Sequence, residues 1–393
     1  MKIAFIHIDF PFGGAEKVTI DVANELLKKQ GMEFFVFTKN FHAEKYTQAV
    51  DDRRFHILSP ARGVDDSAFC DFICEYVEEE HIDVAVSVGV NIKHLPERLH
   101  QVRCKTVYAN HNIPFWEIIV KKMRGKQRGK GNLWKRIEYY SMQYFRYEVL
   151  DLLTPKFTKL YRDNLNRYDA FMVLCEEDRE IIASKLGFGE DKLVAISNMV
   201  TPVDAINYNK AHKFVYVGRL SYADKRIDRL IDAWRIASRT LTGWELIIVG
   251  DGPERANLEA SAEEMTNVKF AGYRRDTGTF YRDASAICLT SEYEGYPLCL
   301  IEAHANGVVP IVMDCQSAGT RSIIAPLGEN GFLVPNGDVE AFAQRMIDFA
   351  KLPEDEKMRL RHNVVRKSME YSPERIGNQW LALFDKLSQN KLL

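Results

Sequence analysis

The sequence has few of the features that define a protein class at once: it lacks a long apolar run, a regular cysteine framework and an excess of one charge. No apolar stretch approaches the roughly 18 residues that a membrane-spanning helix needs, so any membrane contact is expected to be peripheral. The apolar N-terminus is interrupted at His7 and Asp9, short of signal-peptide length, and therefore predicts a first strand. The balance of 53 basic and 55 acidic residues excludes a chain that is globally tuned to nucleic acid.

Patterns typical of metal or redox sites are also scarce. The seven cysteines are an odd number scattered along the chain, and Cys70 and Cys74 are spaced for neighbouring turns of a helix rather than for a zinc or redox motif. This cysteine usage favours the reducing cytoplasm. No Asp-x-Asp pair stands at a plausible metal position, so we expect neither a metal nor another cofactor.

What the sequence does contain is an alternation of apolar runs and amphipathic segments over 393 residues, a length that predicts two domains. Continuous Val/Ile-rich runs separated by helices indicate parallel sheets that are buried on both faces, and hence α/β architecture. Helices are predicted at 16–30, ending before Gly31, at 227–238 and from 373 to about 387. Strands are predicted at 3–8, 34–38, 84–88, 105–109, 170–174, 213–217, 244–249, 286–289 and 308–312.

The two halves begin alike, each with a short strand, a glycine-containing turn and a helix. The simplest interpretation is two Rossmann-like domains joined by a linker at 198–211, with ligands at the strand ends that face a central cleft. The predicted first domain is 1–198, completed by a C-terminal helix at 373–393. The predicted second domain is 199–372.

Two of these turns could hold phosphate. Gly13 and Gly14 precede the first helix, where missing side chains let a ligand approach the main-chain amides and the positive end of the helix dipole. The structural alternative is a tight turn that needs positive φ. Arg219 and Lys225 flank the corresponding turn of the second half, and two converging cations suit a diphosphate. The alternative there is a pair of solvated surface cations.

Glu294 and Glu302 lie on either side of a predicted turn-to-helix junction. Gly295 and Pro297 punctuate the turn, so Glu294 lies in the loop, Glu302 lies inside the helix, and both can face one ligand at the helix start. The amide of Leu298 could then meet a phosphate, and a carboxylate is a good double acceptor for the vicinal hydroxyls of a ribose. On spacing alone, two unrelated surface glutamates would be favoured.

His111 follows a predicted strand and is therefore expected to point into the cleft. There it could donate a hydrogen bond to a sugar hydroxyl or take part in proton transfer. A structural histidine is the alternative, since this residue type is often partly buried.

Residues 121–167 depart from the rest of the chain. They contain thirteen Lys or Arg and four acidic residues, a local charge of about +9 (13 minus 4), interleaved with aromatic residues such as Trp134, Tyr140 and Phe145. A solvated charged helix, a nucleic-acid patch and an anionic lipid surface all fit this composition. The aromatic residues favour the lipid surface, and we expect no nucleic-acid partner.

Together these motifs resemble the retaining GT-B glycosyltransferases of family 4, most densely across residues 214–339. In the first half the resemblance is thinner and covers the segment from Gly13 to Lys17 and His111. One departure is Arg226, where the family pattern usually has glycine after the lysine. The segments that carry the resemblance are Gly218-Arg219-Leu220 with Lys225, Val249-Gly250-Asp251-Gly252-Pro253-Glu254, Phe270-Ala271-Gly272-Tyr273, Ser291-x-x-Glu294-Gly295-x-Pro297 with Glu302-Ala303, and Asn330-Gly331-Phe332-Leu333-Val334.

The resemblance implies transfer of a sugar, with retention of configuration, from a UDP- or GDP-sugar in the second domain to a hydroxyl of a glycan or lipid-linked acceptor in the first. It also implies a place in cell-surface polysaccharide or glycolipid synthesis, at the inner face of the cell membrane. Arg219 and Lys225 would bind the diphosphate, whose charge grows as it leaves, in place of a metal. The residues implied in catalysis are Glu294, His111, Arg219 and Lys225. The implied donor ligands are Gly13, Gly14, Arg219, Lys225, Tyr273 and Arg274 at the base, Glu294 at the sugar, Gly295, Tyr296, Pro297, Leu298, and Glu302 at the ribose.

Two other functions remain open at this point. One is a nucleotide-sugar epimerase on the same fold, which would need no acceptor. The other is a non-catalytic partner that binds sugar nucleotides. The spacing of Glu294 and Glu302 disfavours the first, and the joint presence of these acids with Arg219 and Lys225 disfavours the second.

Overall fold

The computed structural model describes residues 1–11, 13–43, 50–61, 63–129, 134, 137, 139–315 and 317–389. The chain forms two compact units, Met1–Ser197 with Gly377–Leu393, and Asn198–Ile376. Each unit is built on its own parallel sheet, so the predicted pair of Rossmann-like halves is confirmed. The binding roles assigned to the two halves stay predictions.

The first unit contains a seven-stranded sheet. Its strands are β1 Lys2–Phe10, β2 Glu33–Phe41, β3 Phe55–Leu58, β4 Val84–Val88, β5 Lys105–Ala109, β6 Ala170–Val173 and β7 Leu193–Ala195. They are all parallel, in the order β3-β2-β1-β4-β5-β6-β7. The order reverses between β1 and β4, and ligand sites of such sheets lie outside the carboxyl ends of the strands at this point. Every residue of β4 is buried, as expected for a strand that is covered on both faces.

Helices connect these strands. They are α1 Gly14–Leu26, α2 Asp66–Glu79, α3 Leu95–Gln101, α4 Trp116–Gly129, a π-helix Tyr139–Val149, α5 Leu153–Arg167 and α6 Glu176–Leu186. The Asp65 carboxylate caps α2 by accepting a hydrogen bond from the Ala68 amide at 2.8 Å. Cys70 and Cys74 lie on neighbouring turns of α2, as their spacing predicted.

The first helix is shorter than predicted. It ends at Leu26, although Gly31 has the left-handed φ of 77° that is typical of a glycine after a helix. The Arg54 guanidinium donates to the main-chain oxygens of Leu27 at 2.5 Å and Lys29 at 3.4 Å. Because these carbonyls are satisfied from outside, the chain can leave the helix in a turn before β2.

The second unit contains a six-stranded sheet. Its strands are β8 Lys213–Val217, β9 Glu245–Val249, β10 Val268–Gly272, β11 Ala286–Leu289, β12 Val309–Met313 and β13 Phe332–Val334. They are parallel, in the order β10-β9-β8-β11-β12-β13. The order reverses between β8 and β11, so the loops after these two strands are the expected site positions. The helices are α7 Ile227–Ala237, α8 Arg255–Ser261, α9 Gly278–Asp283, α10 Leu298–Ala305, α11 Ala318–Ile324, α12 Val339–Lys351 and α13 Glu354–Ser368.

The helix predicted from residue 373 is present as α14, Pro373–Gln389. From Gly377 onward it belongs to the first unit. Trp380 is 1% exposed and meets the ring of Phe5 edge-on, with 6.0 Å between centroids. The Lys29 ammonium donates to Asn378 at 2.9 Å. The last helix therefore completes the core that covers β1. Residues 390–393 of the predicted domain lie outside the described residues.

Across the described ranges, no helix combines the length and the apolar character that crossing a membrane requires.

Candidate functional site

The turn between β8 and α7 carries the first two predicted ligands. The Arg219 guanidinium donates to the Asp224 carboxylate at 2.7 Å, and the Ser221 hydroxyl donates to the same carboxylate. The hydrogen bond with Asp224 raises the pKa of Arg219, so the group is a permanent cation. Its side chain is nevertheless 63% exposed. Arg219 is thus oriented by a buried acid and still accessible to an anion.

Lys225 forms an ion pair with Glu294. The Lys225 ammonium lies 2.7 Å and 2.8 Å from the two carboxylate oxygens of Glu294, and the Ser291 hydroxyl donates to one of them at 2.6 Å. Burial lowers the pKa of Lys225, but the attraction of Glu294 outweighs this effect and raises the pKa overall. The Glu294 side chain is only 7% exposed. The structure therefore joins a predicted phosphate ligand to the predicted sugar ligand.

Further contacts tie the loop after β11 to the turn after β8. The Glu292 amide donates to the Asp224 carbonyl at 2.7 Å, and the Thr290 hydroxyl donates to the Arg226 carbonyl at 2.9 Å. The Glu292 carboxylate accepts from Arg229 at 2.5 Å and from Arg226 at 3.5 Å. The two loops that carry Lys225 and Glu294 are therefore held together before any ligand binds.

Arg226, the departure from the family pattern, has a left-handed backbone with φ 48° and ψ 46°. This is a conformation that glycine adopts without penalty, which explains the usual glycine at this position. Here the guanidinium lies over the Tyr222 ring at 4.5 Å and donates to Asp228 at 2.8 Å. The turn keeps its shape because side-chain contacts offset the backbone strain.

Close backbone packing requires glycines beside this turn. A Cβ on Gly250, whose φ is 142°, would lie 1.8 Å from the Gly218 carbonyl oxygen, and a Cβ on Gly252 would lie 2.3 Å from that of Leu220. The Leu220 amide donates to the Asp251 carbonyl at 2.9 Å. The Val249–Glu254 motif thus supports the turn between β8 and α7 through close backbone packing.

The loop before α10 is held through its main chain. The Gly295 carbonyl accepts from the Ser317 hydroxyl at 3.0 Å, and the Tyr296 carbonyl accepts from the Asn198 amide at 2.9 Å. The Tyr296 ring is buried and meets Tyr371 edge-on. Pro297 is the extended N-cap, so the amide of Leu298 belongs to the first helical turn, where N–H groups have no intrahelical acceptor. These amides are suited to an anion.

Glu302 lies inside α10, as predicted, and accepts a hydrogen bond from the Tyr281 hydroxyl at 3.1 Å. At the end of β10, Tyr273 is 73% exposed and Arg274 is exposed beside it, after Gly272 with φ 73°. Their roles at ribose and base stay predictions.

In the first unit, Gly13 is the N-cap of α1, with φ −153° and ψ −159°, and Gly14 is the first helical residue. Neither glycine therefore has positive φ, so the tight-turn alternative does not apply. A Cβ on Gly13 would lie 3.0 Å from a carboxylate oxygen of Glu16. The Glu16 carboxylate accepts main-chain hydrogen bonds from Glu16 and Gly13, and these partly offset the burial that raises its pKa. Glycine at position 13 leaves room for this carboxylate at the N-terminus of α1.

His111 is half-buried, and burial lowers its pKa to about 4. A second histidine, His7, lies in β1 and was not among the predicted site residues. Burial first, and the charge of His111 second, lower the pKa of His7 to about 3. The His7 ring lies 2.9 Å from the Thr19 hydroxyl and 3.9 Å from the Glu16 carboxylate. Both imidazoles are therefore neutral at pH 7. The only sequence signal for His7 was a polar residue inside an apolar strand.

Within the described ranges, no group of three or more His, Cys, Asp or Glu side chains is placed to hold a metal ion. The prediction that no metal is used stays a prediction.

Comparison with solved structures defines the class of fold. The apo form of the lipopolysaccharide outer core galactosyltransferase WaaB matches with a TM-score of 0.66 and 21% identity, over 98% of this chain and 100% of that one. Anabaena Alr3699/HepE in complex with UDP and glucose matches with a TM-score of 0.72 and 15% identity, over the same shares of the two chains. The protein therefore has the GT-B fold, as predicted.

Sequence comparison then gives the family. The model described as "Glycosyltransferase Family 4" matches residues 12–203, and "Glycosyl transferases group 1" matches residues 211–351. The chain therefore belongs to the group 1, family 4 glycosyltransferases.

Individual relatives match over different lengths. The amylovoran biosynthesis glycosyltransferase AmsD of Erwinia amylovora is 31% identical over 47% of this chain, and an uncharacterized glycosyltransferase of Haemophilus influenzae is 27% identical over 54%. These matches span 51% and 60% of the relatives' own lengths. A lipopolysaccharide 1,6-galactosyltransferase of Salmonella typhimurium is 25% identical over 87% of this chain and 88% of that protein.

Proposed function

We propose that the protein is a retaining glycosyltransferase. It moves a sugar from a UDP- or GDP-sugar to a hydroxyl of a glycan or lipid-linked acceptor, in the synthesis of cell-surface polysaccharide or glycolipid. The observation that carries this proposal is the Lys225–Glu294 ion pair beside the accessible Arg219 guanidinium.

These three side chains suit the departure of a nucleoside diphosphate. The leaving group gains negative charge as the bond to the sugar breaks, and preorganised cations stabilise that charge more in the transition state than in the ground state. Arg219 offers a fork of N–H donors and Lys225 a point charge, so together they replace the metal that other transferases use. Glu294 lies in the loop before α10 and is the residue that we assign to the sugar.

The relatives support the chemical class of the substrates. HepE was solved with UDP and glucose, and a mutant of S. aureus TarM was solved with fondaparinux, α-GlcNAc-glycerol and UDP. The Salmonella relative is named for transfer to lipopolysaccharide. The neutral imidazole of His111 can donate or accept a hydrogen bond with an acceptor hydroxyl, so we assign the acceptor to the first unit.

A donor screen tests this proposal. UDP-, GDP- and ADP-sugars are added to the wild-type chain, and the melting temperature is recorded, because a ligand of the native state raises it with concentration. We expect one nucleotide class to stabilise the protein, and Arg219→Ala to abolish the shift. Arg282→Ala is the matched control, since that side chain is also 63% exposed and paired with a neighbouring acid. The proposal is contradicted if no nucleotide sugar raises the melting temperature and none is slowly hydrolysed.

A second part of the proposal concerns an anionic membrane, which would hold the protein at the inner face of the cell membrane. In segment 121–167, α4 and the π-helix are joined by an ion pair of Lys122 with Glu148 at 3.2 Å. Lys130, Lys135, Arg136 and Glu138 lie outside the described residues. The large apolar side chains that the segment exposes are Trp134 79%, Ile137 49%, Tyr140 58%, Tyr144 43%, Phe145 51%, Val149 57%, Leu150 51% and Leu152 48%.

A surface with this composition fits lipid better than nucleic acid. Aromatic rings are suited to the interface between headgroups and acyl chains, and neighbouring cations attract anionic headgroups. The exposed aliphatic side chains of Val149, Leu150 and Leu152 gain from contact with acyl chains but have no stacking role on bases. So many exposed large apolar side chains in one segment are uncommon on a surface without a partner.

Co-sedimentation with vesicles tests the membrane part. We expect binding to phosphatidylcholine vesicles that contain phosphatidylglycerol, weaker binding at high salt, and loss of binding with Phe145→Ser. Ile181→Ser is the matched control, because Ile181 is 44% exposed in the same unit but lies outside the segment. Binding that is insensitive to salt and to Phe145→Ser refutes this part alone.

A further inference from the structure

We infer that Tyr281 is a positioning residue for ribose recognition, because its hydroxyl holds the Glu302 carboxylate in place. The inference deepens the proposed function and rests on it. Tyr281 lies in α9 and Glu302 in α10, and the Tyr281 hydroxyl lies 3.1 Å from one Glu302 oxygen. The Tyr281 side chain is only 1% exposed. The hydroxyl therefore reaches Glu302 from the protein interior, on the side away from solvent.

The direction of this hydrogen bond is fixed by chemistry. An ionised carboxylate only accepts, so the Tyr281 hydroxyl must be the donor. Burial first, and the charge of Glu302 second, raise the pKa of Tyr281 well above its usual range. The hydroxyl thus stays protonated across the physiological range. A buried tyrosine hydroxyl needs a hydrogen-bond partner, and Glu302 is a strong acceptor for it.

The two helices that carry this pair are joined at their carboxyl ends by Lys210. The Lys210 ammonium donates to the main-chain oxygens of Tyr281 at 3.1 Å, Arg282 at 3.0 Å and Asn306 at 2.6 Å. Arg282 belongs to α9, and Asn306 is the C-cap of α10. Burial lowers the pKa of Lys210 to about 7, whereas the negative ends of the two helix dipoles favour its charged form. Lys210 therefore fixes the backbone from which Tyr281 reaches Glu302.

Positioning matters because a glutamate side chain is flexible. A free carboxylate must lose rotamer freedom when it accepts hydrogen bonds from the two ribose hydroxyls, whereas one that is already oriented loses less. The contact acts on the ribose and not on the leaving phosphate. Its loss should therefore raise KM for the donor and leave kcat nearly unchanged.

The experiment compares ribose with 2′-deoxyribose. The nucleoside diphosphate that stabilises the wild-type chain, among UDP, GDP and ADP, is titrated beside its 2′-deoxy counterpart, and the ratio of the two Kd values is measured. We expect the wild type to prefer the ribose by about tenfold, as for a hydrogen bond to a charged group. Tyr281→Phe should bring the ratio close to that of Glu302→Gln. Tyr281→His keeps a ring N–H donor and should restore part of the preference.

Tyr216→Phe is the matched control. Tyr216 is also a buried tyrosine of the second unit, but its hydroxyl donates to the Arg219 carbonyl at 2.9 Å. This variant should change the affinity for both nucleotides equally and leave their ratio intact.

The possible outcomes separate the two proposals. A ratio that is unchanged in Tyr281→Phe but reduced in Glu302→Gln overturns the inference and leaves the proposed function standing. A ratio that is unchanged in both variants also overturns it, since Glu302 then does not bind ribose. If no diphosphate binds the wild type, the proposed function itself fails. If Tyr281→Phe does not fold, as judged by its melting temperature without ligand, a wild-type ratio near one still refutes the inference.

Discussion

The Lys225 ammonium lies between 2.7 Å and 2.8 Å from both carboxylate oxygens of Glu294, so the two residues form one ionic unit. A cation proposed for the leaving diphosphate and an acid proposed for the sugar therefore hold each other in position. Neither residue can be altered without affecting the other.

This coupling predicts a difference between single and double substitution. Lys225→Met leaves the buried Glu294 carboxylate with the Ser291 hydroxyl but without its cation, and should destabilise the second unit by about 2 kcal/mol. Adding Glu294→Gln removes the uncompensated charge and should recover at least half of that loss. Urea unfolding of the wild type, both single variants and the double variant measures the coupling. Strictly additive effects would show that the pair is not a unit.

The close approach of two turns predicts a large effect at Gly250. Gly250→Ala places a Cβ 1.8 Å from the Gly218 carbonyl oxygen, which the backbone cannot accommodate, so we expect a loss of more than about 3 kcal/mol or failure to fold. Gly243→Ala is the control, because Gly243 also has positive φ, 81°, but no atom within 4 Å of its added Cβ. That variant should lose only about 1 kcal/mol from backbone strain. Similar melting temperatures for the two variants contradict this prediction.

Backbone strain at Arg226 can be measured separately from its side-chain contacts. Arg226→Ala and Arg226→Gly both remove the contacts with Asp228 and Glu292, but only alanine retains a side chain at φ 48°. We therefore expect the free energy of unfolding of the glycine variant to exceed that of the alanine variant by about 1 kcal/mol. Thermal unfolding of the two purified variants provides the comparison. A more stable alanine variant would show that the backbone at Arg226 is not strained.

Asp178 predicts a pH dependence of stability. It is 1% exposed, and burial raises its pKa from 3.8 to about 7, against a smaller opposite effect of a hydrogen bond with Cys175. Between these two values the unfolded chain releases a proton that the native state keeps, so this group's contribution to stability is lost as pH rises from about 4 to about 7. Asp178→Asn removes the effect.

The measurement for Asp178 is the unfolding free energy of both proteins at pH 5 and pH 7. Between pH 5 and pH 7, the unfolding free energy of the variant should rise relative to that of the wild type by at most about 3 kcal/mol. One pKa unit corresponds to about 1.4 kcal/mol. Parallel pH profiles would mean that Asp178 is ionised in the native state. Asp191→Asn is a suitable control, because Asp191 is an exposed acid of the same unit.

The predicted strands and the strands that were not predicted differ in their position in the sheets. All nine predicted strands are present, and the four that were not predicted, β3, β7, β10 and β13, are the outermost strands of the two sheets. An edge strand needs less apolar surface: no residue of β3 is fully buried, whereas every residue of β4 is. The continuous apolar run that predicts a central strand is therefore weak at the edges.

At the site, residue types and order predicted the individual residues but not their pairing. Nothing in the spacing of Lys225 and Glu294 shows that their side chains meet, because the contact depends on β8 and β11 being neighbours in the sheet. Arg226 shows the converse. The expected glycine marked a special backbone conformation, and the structure has that conformation with a different residue. His7 was missed because one histidine in an apolar strand carries no pattern.

The last helix also determines the order in which the protein can be completed during synthesis. Residues 198–376 form an uninterrupted stretch, so the second unit has its whole sequence available as soon as it leaves the ribosome. The first unit emerges earlier but waits for the segment from Gly377 onward, and until then the face of Phe5 that Trp380 covers is open to water. The half that is translated first is therefore finished last, because its core lacks Trp380 until the last helix has been synthesised.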